Sequence, residues 1–542
     1  MVIFLKKKIY NIISRLVSQQ LPILVFSLFS LSNAALLTSN IKGITVGGWL
    51  VTEPYITPSL YKNAMNLSSS SDLIVDEYHI GYYLSYSQAS SLLKTHLDTW
   101  ITEADFQKIA QDGFNLVRIP IGYWAWKDNN SADSTTSTYL KGKYTYKDYF
   151  INVGQLQYLE NALIWCEKYG LKAWIDLHGV PGSQNGFDNS GQRILNGPLG
   201  WLSTDVTNTL TTDILTDIFQ TFLNGNKTYQ DVVAGIEIVN EPLHGPIPIN
   251  DVIQFYYKSL ANFQQYYQET SNTTLIIHDA FEGLGFWNEH FNVLYKNVSS
   301  QYTNDTSVIS SSKLLNDRTI IIDHHHYEVF TDGQLINSPY QRIRDIISYG
   351  DSLQMEQGYH PSVVGEWSGA ITDCATWLNG VGIGSRYDGS YYGSATNFTT
   401  TSTGIPVGKC QSQLSVENWS SSYKTSVRQF IETQLVQFGN KSAGWIFWNW
   451  KTENAVEWDY LKLKEAKLFP HPFDDYKYYN KKDGSMKSSF QSQIALATST
   501  DDTYSNKAVK LISNNGMNLN SIMKILLFLN IPLAITFLIL YF

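Results

Sequence analysis

Cysteine is scarce, with three in 542 residues, so this chain is not a small disulfide-stapled scaffold. Charge is scarce too. Charged residues make up 16%, the formal net charge is -9, and no basic block interrupts the chain. That excludes a nucleic-acid partner and argues against an anionic polymer. No internal repeat appears, which removes solenoids and propellers. Long apolar runs are confined to the two ends. What is abundant is aromatic: 14% of residues, including 15 Trp and 35 Tyr. Rings of this kind stack on the apolar faces of sugars, although a large barrel core would absorb most of them.

Both ends read as addresses. Lys6, Lys7, Lys8 and Arg15 precede the apolar run 21–31, and Ser32-Asn33-Ala34 offers small residues for cleavage. This is a secretory signal over residues 1–34, its run being short for a membrane span. At the other end, small residues 513–516 and a polar spacer precede the apolar stretch Ile525–Phe542. That order matches a glycosylphosphatidylinositol-anchor signal over 514–542, with Asn514 or Asn515 as attachment site; a retained tail-anchor helix is the alternative. Nine Asn-X-Ser/Thr sequons (Asn66, Asn129, Asn226, Asn272, Asn297, Asn304, Asn397, Asn418 and Asn440) agree with secretion. In an oxidising compartment Cys374 and Cys410 can pair across an irregular loop, stabilising it by roughly 3–4 kcal/mol. Cys166 shares a helical face with Leu159 and Leu163 and reads as a core thiol.

Between the addresses, eight apolar runs have strand length: 43–50, 115–124, 172–179, 233–242, 274–280, 319–327, 361–368 and 442–450. Helical stretches separate most of them, which predicts a parallel sheet, and eight units predict an α/β fold of the (β/α)8 barrel type. One catalytic domain is expected over residues 40–484, followed by a polar tether over 485–513. Two polar, irregular insertions, 128–147 and 373–413, read as binding walls or lids.

The chemistry concentrates at strand ends. Asn240-Glu241-Pro242 closes the fourth run and Gly365-Glu366-Trp367 the seventh, so two buried strands finish on a carboxylate. Glycoside hydrolysis needs two such groups, one to protonate the leaving oxygen and one to attack or to activate water. The run Asp323-His324-His325-His326-Tyr327 tempts a metal reading. Strand alternation, however, places His324 and His326 on one face and His325 and Tyr327 on the other, without an obvious third ligand, so no metal is expected.

Longer strings carry a specific resemblance. They are residues 47–60 (Gly47-Gly48-Trp49 through Ser59-Leu60), Asp76-Glu77-Tyr78-His79, Gly113 through Pro120, Asp176 through Gly191, Asp323 through Phe330, and Trp448 through Ala455. Together they resemble fungal exo-β-1,3-glucanases of glycoside hydrolase family 5, over about Gly43 to Pro472. The resemblance implies Glu241 as general acid/base and Glu366 as nucleophile, with Arg118 orienting Glu366 and keeping it ionised, and Asn240 holding a sugar 2-hydroxyl. It places His325 and Tyr327 beside the nucleophile and His178 at the mouth from strand three, a buried structural His being the alternative for the last. It puts Glu53, Tyr55 and Asn189 on the terminal sugar and Trp448 beneath the scissile one, and leaves Trp450 open as core. Phe187 and Phe330 match rings that flank the entrance, or are exposed loop aromatics. The activity implied is retaining release of glucose from the non-reducing end of β-1,3-glucan, with no cofactor, by a monomer that meets the membrane only through its lipid anchor. A β-1,6-directed or endo-acting glucanase, or a transglycosylase, fits the same barrel. A non-catalytic glucan-binding protein would need a broken carboxylate pair. The segment 297–317 reads as an added, glycosylated loop.

Overall fold

The computed structural model describes residues 40–69, 73–128, 136–194, 196–225, 227–267, 271–293, 315–316, 319–391 and 402–497. Ten strands are described: β1 (Ile41–Thr45), β2 (Leu116–Gly122), β3 (Ser137–Tyr139), β4 (Tyr144–Tyr146), β5 (Lys172–Gly179), β6 (Val233–Glu237), β7 (Thr274–His278), β8 (Ile320–His326), β9 (Ser362–Trp367) and β10 (Gly444–Phe447). Eight of them form a closed parallel barrel in the order β1-β10-β9-β8-β7-β6-β5-β2, while β3 and β4 make a separate hairpin. The barrel strands fall on the eight apolar runs, seven of them trimmed at the C-terminal end and β5 matching its run in full. The trimming matters at the fourth. β6 ends at Glu237, so Glu241 does not finish a strand; it sits four residues on, in the left-handed region at φ 46°. Burial of Ile238 and Val239 makes the run look continuous, but the ladder has already ended.

Helices cover the barrel: α1 (Glu103–Gln111), α2 (Gln155–Tyr169), α3 (Asp205–Asn224), α4 (Ile249–Tyr266), α5 (Pro339–Glu356) and α6 (Ser421–Lys441). Their starts are encoded locally. The Thr204, Ser338 and Ser420 side chains accept backbone N–H bonds at the heads of α3, α5 and α6, and Pro339 follows Ser338 at the first helical position. On α2, Leu159, Ala162, Leu163 and Cys166 face the core, and burial pushes the Cys166 thiol up. Most of the proposed loop 297–317, with its sequons Asn297 and Asn304, lies outside the described residues, as do Asn129, Asn226 and Asn397.

The barrel interior is built in layers by the two-residue period of its strands. One apolar layer takes Ile41, Leu116, Trp174, Ala234, Ile276, Ile321, Val363 and Ile446, one from each strand. Two residues further along four of these strands the layer turns polar: Arg118, Asp176, His278 and Asp323, joined by Glu237 from β6, all fully buried. The functional mouth stands on this ionic floor.

The 128–147 insertion is partly ordered by the β3–β4 hairpin. Cys374 and Cys410 are bonded across the 373–413 loop. Inside that loop Asp373 accepts from Arg386 N at 2.7 Å, Tyr387 N at 3.0 Å and Asn379 Nδ2 at 3.0 Å, which gives an irregular segment a fixed centre. The tether does not begin at Ser485. Met486 bridges to Tyr479, and residues 488–497 form a helix that lays Phe490 (1% exposed) against Tyr479, Val436 and Ile343. The segment is polar except for a few anchors, so its composition reads as tether although it packs. No helix among the described residues is long and apolar enough to cross a membrane, and the expected anchor signal, Asn514 and Asn515 included, lies outside them, as does the expected secretory signal 1–34. If this last helix belongs to the domain, Phe490→Ala should destabilise the protein by about 3–5 kcal/mol. Urea unfolding measures it; an unchanged midpoint would return residues 485–497 to the tether.

Candidate active site

Arg118, in the middle of β2, is the centre of the site. Its guanidinium gives Nη1 to Glu366 Oε1 at 2.5 Å, Nε and Nη2 to Glu237 Oε2 at 3.0 and 2.8 Å, and Nη2 to Asn240 Oδ1 at 2.8 Å. Asp176 Oδ2 lies 3.1 Å away. A buried charge needs such company, because removal from water costs several kcal/mol per ion. Burial pushes Arg118 down, but the carboxylates of Asp176, Glu237 and Glu366 reverse the shift and hold its proton firmly. Burial raises Glu237 well above the usual carboxylate range against the pull of Arg118. Burial acts on Asp176 too, yet Arg118 and His178 keep it low.

Glu366 and Glu241 face each other across His325. Tyr327 Oη donates to Glu366 Oε2 at 2.8 Å. His325 Nδ1 lies 2.8 Å from Glu241 Oε1 and 3.4 Å from Glu366 Oε2. Asn189 Nδ2 donates to the other Glu241 oxygen at 2.7 Å, so Asn189 props Glu241 as well as facing the pocket. Burial raises Glu366, and Glu241 adds to this; His325 and Arg118 pull it back without reversing the shift. The expectation that Arg118 keeps Glu366 low is therefore only half met: the ion pair is present, and burial outweighs it. Glu241 behaves in the opposite way. Burial pushes it up, but the hydrogen bond and charge of His325, with His178 and Asn189, hold it below its ordinary value. Burial disfavours charge on His325 as well, and Glu366, Asp323 and Glu241 overcome it, so His325 holds a proton strongly.

The rest of the mouth gathers around this pair. His178 stacks on Trp448 at 5.7 Å and 8° between planes, and its Nδ1 pairs with Asp176 at 2.6 Å, leaving Nε2 buried without a partner. Trp448 Nε1 donates to Tyr55 Oη. Trp450 is core, stacked on Tyr460. Asn240 Nδ2 and Glu53 Oε1 are also buried and unpartnered. Burial, then Asp188, Glu366 and Glu241, raises Glu53 well above the usual carboxylate range. Phe187 is half-buried, and Phe330, 37% exposed, meets Tyr327 edge-on at 5.7 Å. Trp458, absent from the sequence reading, backs this wall 5.0 Å from Tyr327 and 5.6 Å from Tyr55. Asp176, Glu237 and Asp323 were missed as well. The available signal was a carboxylate inside an apolar strand run, in phase with inward residues.

Two groupings bring ligand atoms within 4.8 Å of one another, Glu241 with His278 and His325, and Glu237 with Asp323 and His325. Neither donor set suits an ion. His278 Nδ1 accepts from Ala280 N at 2.9 Å, which puts the ring proton on Nε2 and leaves no lone pair for a metal. Glu237 already serves the Arg118 cation.

Set beside known proteins, residues 85–377 match the Cellulase (glycosyl hydrolase family 5) family. Over 464 residues the chain is 55% identical to "Glucan 1,3-beta-glucosidase 2" of Saccharomyces cerevisiae, covering 84% of this chain and 80% of that protein. It is 39% identical to "Glucan 1,3-beta-glucosidase" of Pichia angusta, covering 81% and 88%, and 39% identical to the "Sporulation-specific glucan 1,3-beta-glucosidase" of Saccharomyces cerevisiae, covering 84% and 91%. The crystal structure of rutinosidase from Aspergillus niger superimposes with a TM-score of 0.53 at 17% identity, covering 81% of this chain and 99% of that one, and shares the fold. A closed parallel barrel with two carboxylates at one mouth above a buried arginine-centred floor, a family match over more than half of the chain and relatives this similar lead to one conclusion: the chain belongs to glycoside hydrolase family 5.

Proposed function

We propose that this protein removes glucose from the non-reducing end of β-1,3-glucan with retention of configuration, Glu366 serving as nucleophile and Glu241 as acid/base. The observation that carries this reading is the one imidazole nitrogen between the two carboxyls. Their nearest oxygens can be no farther apart than the sum of the two His325 contacts. Contact with one shared nitrogen keeps the pair close, as direct attack by Glu366 beside a proton-donating Glu241 requires. The names of the glucan 1,3-beta-glucosidase relatives support the substrate.

Glu366 attacks the anomeric carbon as the bond to the leaving oxygen breaks and that oxygen takes a proton from Glu241. Water then attacks the same carbon, gives its proton back to Glu241, and frees Glu366. Arg118 and Tyr327 hold the attacking carboxylate in line. The unpartnered Asn240 Nδ2 is the donor for the 2-hydroxyl, a contact that strengthens as positive charge develops on the sugar. Glu53, His178 and Asn189 receive the terminal sugar, Trp448 and Tyr55 form the floor, and Phe187 with Phe330 flanks the way in. Two carboxyls and water suffice, so the reading needs no metal or cofactor. The enzyme works as a monomer outside the cell or at the wall, held by a lipid anchor near Asn514 or Asn515.

Glu366→Ala should lose hydrolysis by several orders of magnitude, with azide restoring turnover as an α-configured product; near-native activity in this variant places the nucleophile elsewhere. Glucose should be the sole early product from β-1,3-glucan in chromatography, whereas early mixed oligosaccharides indicate an open, endo-acting cleft and preference for β-1,6-linked chains indicates another linkage. The raised Glu366 also sets a pH limit. A protonated nucleophile cannot attack, and a raised value means protonation at higher pH, so kcat/KM should fall on the acid side above the roughly 4.3 of an ordinary Glu. An acid limb at or below that value contradicts the burial argument.

A further inference from the structure

The proposed roles leave one question of charge. A general acid must carry a proton, yet Glu241 is held below its ordinary value while the imidazole beside it is held far above. The geometry around His325 resolves this. Its Nδ1 is 2.8 Å from Glu241 Oε1, and its Nε2 faces Asp323 Oδ2 at 3.4 Å, both nitrogens lying on a side chain that is 1% exposed. Asp323 is itself fixed: its Oδ1 accepts from Gly365 N at 2.7 Å. Position 365 must be glycine for this carboxylate to stand there, since a Cβ at Gly365 would lie 2.1 Å from Asp323 Oδ1. The neighbouring β8–β9 register slips between His324 and His325, which brings His325 level with Glu366.

We propose that Glu241 and His325 hold the leaving-group proton jointly, and that Asp323 is the positioning residue that keeps it there. This rests on the assignment of Glu241 as acid/base. With Asp323 ionised, the imidazole presents Nε2–H to Asp323, and one further proton is shared between Nδ1 and Glu241 Oε1. Its two seats are a hydrogen-bond length apart. When the glycosidic oxygen leaves with the bonding electrons, Glu241 supplies this proton and the pair is left one proton short. The water that releases the glucosyl group from Glu366 restores it. At 3.4 Å this is an ion-pair contact rather than a hydrogen bond, and neither His325 Nε2 nor Asp323 Oδ2 has a hydrogen-bond partner among the described residues.

The other charged or titratable groups facing His325 are Glu366 at 3.4 Å, Glu237, Asp176 and His278. His278 meets the His325 ring edge-to-face at 4.4 Å and 83°. Its Nδ1 is committed to Ala280 N, so it remains a neutral neighbour and takes no part in the exchange. Asp323 is therefore the carboxylate at Nε2 that raises the proton affinity of the pair, since an opposite charge favours the protonated imidazole.

Asp323→Asn tests this. The asparagine oxygen keeps the Gly365 bond, while its amide donates to Nε2, forces the ring proton onto Nδ1, and removes the charge. Glu241 is then left ionised at neutral pH: unable to act as acid, still able to act as base. On laminari-oligosaccharides kcat/KM should fall roughly 10²–10⁴-fold at neutral pH and recover as pH is lowered. On 2,4-dinitrophenyl β-glucoside, whose leaving group needs no proton, the variant should stay within a few-fold of the wild type. If Asp323→Asn does not fold, the wild-type pH profiles decide: the basic limb of kcat/KM, set by loss of the shared proton, should appear on the oligosaccharide and be absent on the dinitrophenyl glucoside. Equal losses on both substrates in a variant with wild-type melting behaviour overturn the proposal, as does an unchanged pH profile on the oligosaccharide. A wild-type protein that turns over neither substrate would count against the glucosidase reading instead.

Discussion

A guanidinium enclosed by a barrel is the constraint on which the site depends. Arg118 is fully buried in the lumen. The fold therefore surrounds it with carboxyl groups, and strands β5, β6 and β9 each contribute one: Asp176, Glu237 and Glu366. Attraction inside a low-dielectric lumen offsets desolvation only when geometry is good and the remaining lone pairs are served. The bond to Asn240 and the His178–Asp176 pair provide part of that service. The same contacts fix the positions of the residues that meet the sugar. Glu366 is held by an interaction the barrel requires for its own stability, so its aim does not depend on a loop.

Glu241 is supported differently. It has left its strand, stands at positive φ, and is held by Asn189 and His325 rather than by the ionic floor. A non-glycine residue in the left-handed region persists only when its surroundings over-determine it. Here Asn240 N donates to Leu177 O and Gln184 Nε2 donates to Asn240 O, binding the turn to the end of β5 and to the loop that follows it. One carboxyl is thus rigid through the core and the other through a network of side-chain bonds. The division suits a pair in which one member must hold still for attack while the other exchanges a proton twice per turnover.

How much of this could be read from the sequence follows from the same physics. Strands were legible because runs such as Ile320–Ile322 and Val233–Ile236 are apolar on both faces, the mark of a parallel barrel. Two of the carboxyls were legible because Pro242 and Trp367 punctuate the ends of such runs. The exact place of Glu241 was not, because Ile238 and Val239 remain buried after the hydrogen-bond ladder stops, and periodicity cannot separate a buried loop from a strand. The ionic floor escaped because Asp176, Glu237 and Asp323 sit one per strand, each looking like an isolated exception; only the closed ring brings them together. The helix at 488–497 escaped because Phe490 and Ile494 are too sparse to mark a periodic face, yet one buried phenylalanine beside Tyr479 is enough to dock it.

The walls complete the argument for an enclosed pocket. Glu53 and Tyr55 sit on the loop after β1, which is tied down by Thr52 to Glu77 and by Ser59 to Glu453. The disulfide-closed loop after β9 reaches back over it: Trp377 lies under Lys62, and Val381 O accepts from Arg193 Nη1 of the loop after β5. Its far end meets the loop after β8, where Thr403 N donates to Asp332 Oδ2 at 2.6 Å, two residues past Phe330. Loops from four strands are therefore joined to one another as well as to the barrel. These joints hold the loops that rim the barrel mouth in fixed positions relative to one another. Glu53 Oε1, Asn240 Nδ2 and His178 Nε2 are buried without a protein hydrogen-bond partner among the described residues, and each such group costs roughly 1–3 kcal/mol that a hydroxyl placed beside it relieves.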